Sequence, residues 1–105
     1  MLTDPSCGIE FLTVIARRKN KDELLNTLSA EGGRLINIVY GKGSVKSSYL
    51  MDILGLVADE NKVVITCLIR SEKTDSVLDN LVKNFDFDKP NTGIAFTIPV
   101  ENLSF

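Results

Sequence analysis

The strongest constraint in this chain is an excess of apolar strand surface over helical surface. Residues 9–16 (IEFLTVIA) and 63–69 (VVITCLI) are dense in β-branched and aromatic side chains, and both alternating sets are largely apolar. Strands buried on two faces read this way. Only two segments carry a helical stripe. After the polar group at residues 17–20, Asn20 stands ready to cap a helix, with Glu23 three places later in a variant of the reciprocal capping arrangement. Leu24, Leu25 and Leu28 then share one face, and Gly32 and Gly33 end the helix. Ser71 opens the second, in which Val77, Leu78, Leu81, Val82 and Phe85 form a wide stripe. Residues 86–92 (DFDKPNT) break it, because Pro90 excludes helix continuation and Asn91 favours a turn.

Two further runs complete the pattern: residues 35–40 (LINIVY), interrupted by Asn37, and residues 93–100 (GIAFTIPV), where Pro99 confines the end to an edge or exit. The order is strand, helix, strand, long loop, strand, helix, strand. That predicts an α+β, ferredoxin-like βαββαβ sandwich, a four-stranded antiparallel sheet with both helices on one face. The 105 residues suffice for one domain, spanning residues 1–105. Two helices cover one side only. Either Ile9, Phe11 and Ile15 or Leu12 and Val14 must therefore face away from them, and so must either Val63, Ile65, Cys67 and Ile69 or Val64 and Leu68. At about 25 cal/mol per Å², leaving such a set in water costs several kcal/mol and creates an aggregation-prone patch. Self-association of open sheet faces in a closed ring or dimer is the expected remedy.

Composition narrows the chemistry. The chain holds no histidine, which excludes Ser-His-Asp hydrolysis, Cys-His proteolysis and His-ligated zinc. With 12 Lys and Arg against 14 Asp and Glu, nucleic acid is not expected as a partner, since a phosphate-binding domain shows a basic excess on one face. Arg17, Arg18, Lys19 and Lys21 do cluster, and read most simply as a solvated turn. No apolar stretch reaches the ~20 residues needed to cross a bilayer, and residues 1–8 lack a basic start followed by an apolar core. A cytoplasmic protein without direct membrane insertion is expected. Cys7 and Cys67 are too far apart for a CxxC clip, and Cys67 reads as a buried thiol.

The loop at residues 41–61 carries the remaining signals. Gly41, Lys42, Gly43 and Ser44 offer backbone N–H groups and a lysine to a phosphate, without the spacing of a P-loop; a flexible strand exit explains them equally well. Lys46 adds charge beside Lys42. Tyr49, Leu50, Met51, Ile53 and Leu54 make the segment more apolar than an ordinary loop, so it reads as a partner-docking element that orders on binding, or as a locally packed extension. Asp52, Asp59 and Glu60, like Asp86 and Asp88, lack the spacing of a dedicated magnesium or calcium site. No metal site and no catalytic residue is expected.

The order of elements, the turn GKG at Gly41–Gly43, the tyrosine-bearing loop after it and the ending TGIAFTIPVEN together resemble the PII signal-transduction proteins, over residues 9–102. Residues 93–101 carry the most specific part of the likeness. The resemblance implies a PII-like homotrimer, without enzymatic activity, that binds adenine nucleotides in clefts between subunits and regulates a membrane transporter or metabolic enzyme through its long loop, the T-loop. Matched by position, Gly41, Lys42, Gly43 and Ser44 would start the phosphate-side loop. Thr66, Cys67 and Leu68 would line the adenine pocket. Asn91, Thr92 and Gly93 would meet phosphates from the facing subunit. Lys46, Tyr49, Leu50 and Met51 would belong to the docking loop, Tyr49 near its tip where some members carry a modifiable tyrosine. Ile94, however, stands where the family has a phosphate-contacting lysine, and Phe105 falls about where the first of its C-terminal arginines would. Losing such charge-assisted contacts weakens polyphosphate binding, so ATP is not expected in the usual mode. AMP, another small molecule or no ligand is left, and no cofactor is required.

Two other classes share this order of elements. One is an ACT-type amino-acid-binding regulatory module. The other is a small ferredoxin-like-barrel enzyme, for which the sheet offers only Thr13, Asn37, Thr66 and Thr97, none an efficient proton-transfer group at neutral pH.

Overall fold

Residues of the two doubly apolar runs form the middle of the sheet. In the computed structural model, which describes residues 8–41, 61–89 and 92–102, β1 (Ile9–Arg17) and β3 (Lys62–Arg70) lie side by side. β2 (Arg34–Gly41) and β4 (Gly93–Pro99) form the edges, giving the order β2-β3-β1-β4 with every pairing antiparallel. Central strands need apolar side chains on both faces, which is why the two richest runs sit there. The expected βαββαβ sandwich with its helices on one side is the observed fold, completed by α1 (Lys21–Ala30) and α2 (Thr74–Phe85).

Both helices begin differently from the sequence expectation. Short 3₁₀ turns, Arg18–Asn20 and Ser71–Lys73, connect each central strand to its helix. Asn20 stands at the N-cap position but has φ −93° and ψ 3°, and its side chain makes no capping hydrogen bond. A capping side chain needs the extended backbone that a preceding 3₁₀ turn denies it. The second helix likewise starts at Thr74 rather than Ser71.

The C-terminal stop of α1 uses Gly32 at φ 90°, with Gly32 N–H donating to Ser29 and Gly33 N–H to Leu28, a left-handed stop that glycine adopts without strain. α2 stops at Asp86 itself, which takes φ 58° and ψ 34°, while Phe87 N–H reaches back to the Leu81 carbonyl. The break thus precedes Pro90. β2 carries an irregularity between Arg34 and Asn37, where Leu35 adopts φ 52°. A leucine in that region costs roughly 1–2 kcal/mol, offset by the strand continuing in register beyond it.

The helices cover Leu12, Val14 and Ala16 of β1 and Val63, Ile65, Cys67 and Ile69 of β3, which form one core with Leu24, Leu28, Val77, Leu81 and Phe85. Val82 is 39% exposed, so the buried stripe of α2 is narrower than the sequence pattern suggests. Cys67 is buried, as expected, and burial pushes its thiol pKa up. No described helix is long and apolar enough to cross a membrane.

Candidate functional site

The face away from the helices takes the other alternating set. Phe11, Thr13 and Ile15 stand beside Val64, Thr66 and Leu68 on one side and Ile94, Phe96 and Ile98 on the other, by the antiparallel register. Neither α1 nor α2 reaches this surface, and Phe11, Phe96 and Ile98 remain substantially exposed. Two helices thus leave one apolar face of the sheet uncovered, as expected, and the odd-numbered set of β1 faces out.

One polar row crosses this apolar face. Asn37 pairs with Thr66, and Thr66 pairs with Thr13. Thr13 is only 8% exposed, although it lies on the uncovered side, because taller neighbours flank it. Hydrogen-bonding groups set into an apolar surface suit a flat ligand with a polar edge, or an interface with a defined register. Thr97 does not join them. It opposes Leu12, on the helix side, so the four groups weighed for an enzyme never converge.

The sheet ends bring the loops together. Gly41 pairs with Lys62, Lys62 with Arg17, and Gly93 with Ala16. Both ends of the segment at 42–60 and the loop before β4 thus leave from one edge of the sandwich, a consequence of antiparallel pairing that spacing along the chain does not reveal. Thr92 closes the loop before β4 by donating its hydroxyl to the carbonyls of Asp86 (2.6 Å) and Lys89 (2.9 Å). Gly93 lies under Phe87, whose ring packs edge-on against Phe85 at 6.3 Å. A hollow of ≈200 Å³ opens beside Thr92 between the start of α1 and the end of α2, lined by Glu23, Asn84 and Asp86 among others.

Of the positions expected to bind a ligand, Gly41, Thr66, Cys67, Leu68, Thr92 and Gly93 are described. Thr66 and Leu68 share the open face. Cys67 points the other way, into the core, because side chains alternate along a strand. Lys42, Gly43, Ser44, Lys46, Tyr49, Leu50, Met51 and Asn91 lie outside the described residues. Tyr40, which no spacing in the sequence marks, has the Arg18 guanidinium 4.8 Å and the Lys21 ammonium 5.5 Å from its ring centre. The Lys21 ammonium donates to the Tyr40 hydroxyl at 3.1 Å. That hydrogen bond, with charge interactions from Tyr40 and Asp22, raises the Lys21 pKa. Arg18 and Lys21 are thus held against an aromatic ring, where the sequence suggested a solvated turn.

With this geometry in hand, comparison with solved structures is decisive for the fold. A protein described as PII-like from Thermus thermophilus superposes with a TM-score of 0.64 at 14% identity, over 88% of this chain and 86% of that one. The fold is PII-like. CPII from Thiomonas intermedia, in a structure bound to ADP, AMP and acetate, gives a TM-score of 0.64 at 20% identity, covering 90% and 89% of the two chains. PII from Arabidopsis thaliana, bound to citrate, gives 0.63 at 15% identity, covering 90% and 78%. No protein-family model matches the sequence, and no curated protein matches it. Across these PII-like structures identity stays low while the sandwich is kept, so it is the arrangement of layers that the chains share.

Proposed function

We propose that this chain is a non-enzymatic, cytoplasmic PII-like signalling protein. Its open sheet faces meet in a homotrimer, and an adenine nucleotide, AMP or ADP in preference to ATP, binds in the clefts between subunits. The observation that carries this reading is the uncovered apolar face crossed by Asn37, Thr66 and Thr13. Burying Phe11, Phe96 and Ile98 against other copies removes an otherwise costly surface. The polar row supplies donors and acceptors to a heteroaromatic edge at the margin of that contact.

The PII-like protein seen with ADP and AMP supports the ligand class. Ile94 argues against tight polyphosphate binding, since an apolar side chain replaces the lysine that the family resemblance implies. Gly41, Lys42, Gly43 and Ser44 on one subunit and Asn91, Thr92 and Gly93 on the next are the proposed phosphate-side groups, with Thr66 and Leu68 on the adenine strand. The loop at 41–61, with Lys46, Tyr49, Leu50 and Met51, is the proposed docking element for a target such as a membrane transporter or metabolic enzyme. Signalling works by population shift: the ligand must favour one loop arrangement over another, and the target must dock only one of them.

Isothermal titration with AMP, ADP, ATP and cyclic nucleotides, joined to hydrogen exchange across residues 41–61, tests this. AMP or ADP should bind at least as tightly as ATP and change the protection of the loop. Absence of binding by every nucleotide, or unaltered loop protection at saturation, rejects the sensor.

A further inference from the structure

The polar row on the open face lies between two apolar ones, and that order bears on how copies of the chain meet. Side chains two residues apart share a face and stand roughly 6.6–6.8 Å apart along a strand. One such step from Thr13 lies Phe11, between Leu68 and Ile98. One step the other way lies Ile15, between Val64 and Ile94. Apolar contact is non-directional. Two such faces displaced by a single rung would still bury apolar side chains against apolar ones, so these rungs alone do not separate the correct alignment from a slipped one.

The polar row does separate them. It deepens inward, from exposed Asn37 through half-buried Thr66 to Thr13, 8% exposed in the middle of a central strand. Valine would occupy nearly the same space at positions 13 and 66, and what threonine adds is a hydroxyl. The Asn37 amide N–H donates to the Leu35 carbonyl at 3.2 Å. The Thr13 and Thr66 hydroxyls make no hydrogen bond among the described residues. Once another copy covers the face these groups lose their water, and a buried hydroxyl without a partner is penalised. Polar row against polar row satisfies them. A slip by one rung sets them against phenylalanine and isoleucine.

We infer that Thr13 and Thr66 fix the alignment of subunits, the polar rows of neighbouring copies meeting in one layer between two apolar layers. The inference rests on the assembly proposed above and names the residues that give it a single register. Copies related by a closed ring stand at one height, so like rungs meet without displacement. A polar position within an apolar contact lowers affinity and selects register, as one polar core position does in a coiled coil. The row therefore favours other copies of this chain over a chain whose corresponding row is apolar.

The test is methyl nuclear magnetic resonance of the full, isoleucine-labelled chain without nucleotide, alongside sedimentation velocity. A symmetric wild-type trimer gives one δ1-methyl signal each for Ile15, Ile94 and Ile98. Thr13→Val should still assemble, but slipped alignments should gain about tenfold or more in population for each lost hydroxyl pairing. The three face signals should then split or broaden, while Ile65, in the core beneath the helices, keeps one. Thr66→Val should act likewise from the neighbouring strand, and Thr13→Ser, which retains the hydroxyl, should preserve single signals. A monomeric wild type overturns the assembly and the alignment together. A wild-type trimer whose Thr13→Val and Thr66→Val forms keep single face signals overturns the alignment role alone, as does splitting by Thr13→Ser or splitting that extends to Ile65.

Discussion

Phe96→Asp is the most telling single change, because it separates the fold from the assembly. Phe96 is 41% exposed, Phe11 37% and Ile98 53%. Full burial of such a side chain contributes roughly 1.5–3 kcal/mol, so the fraction of Phe96 still in water represents about 1 kcal/mol per subunit that only a partner can recover. Ile98 and Phe11 each hold a similar reserve. Aspartate at position 96 forfeits that reserve and places a carboxylate where the partner's apolar face should sit, at an effective desolvation cost of several kcal/mol. Together these amount to roughly 4 kcal/mol, or about a thousandfold in affinity for each subunit contact. The isolated subunit, by contrast, keeps every residue of its core.

Sedimentation velocity at micromolar concentration should show the wild-type chain as a trimer and Phe96→Asp as a monomer, with near-native far-ultraviolet circular dichroism. Its melting temperature should lose the dependence on protein concentration that an assembled wild type displays. Val82→Asp is the matched control, a comparably exposed apolar residue on the outer face of α2, and should leave the assembly intact. A monomeric wild type, or a Phe96→Asp chain that assembles as before, refutes the reasoning that the open face is covered by other copies.

Three further outcomes follow from the packing. Gly93→Ala would set a methyl group 2.5 Å from Phe87 Cζ and 3.0 Å from the Ile15 carbonyl oxygen; overpacking of this kind costs about 1–3 kcal/mol, and thermal melts should fall by roughly 4–8 °C for each kcal/mol. Cys67 should resist alkylation in the folded protein and react on unfolding. Its raised pKa means that the folded chain holds the thiol proton more tightly, so this contribution is complete below the ordinary thiol value of ~8.5 and is lost as pH climbs through the folded one. Cys67→Ala should flatten that alkaline decline in chemical denaturation. Tyr40→Phe removes the acceptor that raises the Lys21 pKa; the Lys21 titration, followed by resonance of its side chain, should move back down. Because the raised value makes the Lys21 charge favourable below its ordinary pKa and lost as pH rises through the folded one, the variant should also show a smaller loss of stability at alkaline pH.

The sequence by itself determined the four strands and two helices, the existence of an uncovered apolar face and the absence of histidine chemistry. These are local or summed properties: side-chain period sets strand or helix, and counting apolar sets against available helices leaves one unpartnered. Tertiary structure alone decided which set that was, since both sets of β1 and β3 are apolar and only packing against α1 and α2 chooses between them. It turned Cys67 away from Thr66 and Leu68, put Thr97 behind the sheet, and aligned Asn37, Thr66 and Thr13 in one row. It also carried Tyr40 to Arg18 and Lys21. Those arrangements depend on strand register and on chain turns between residues distant in sequence, and periodicity carries no information about either.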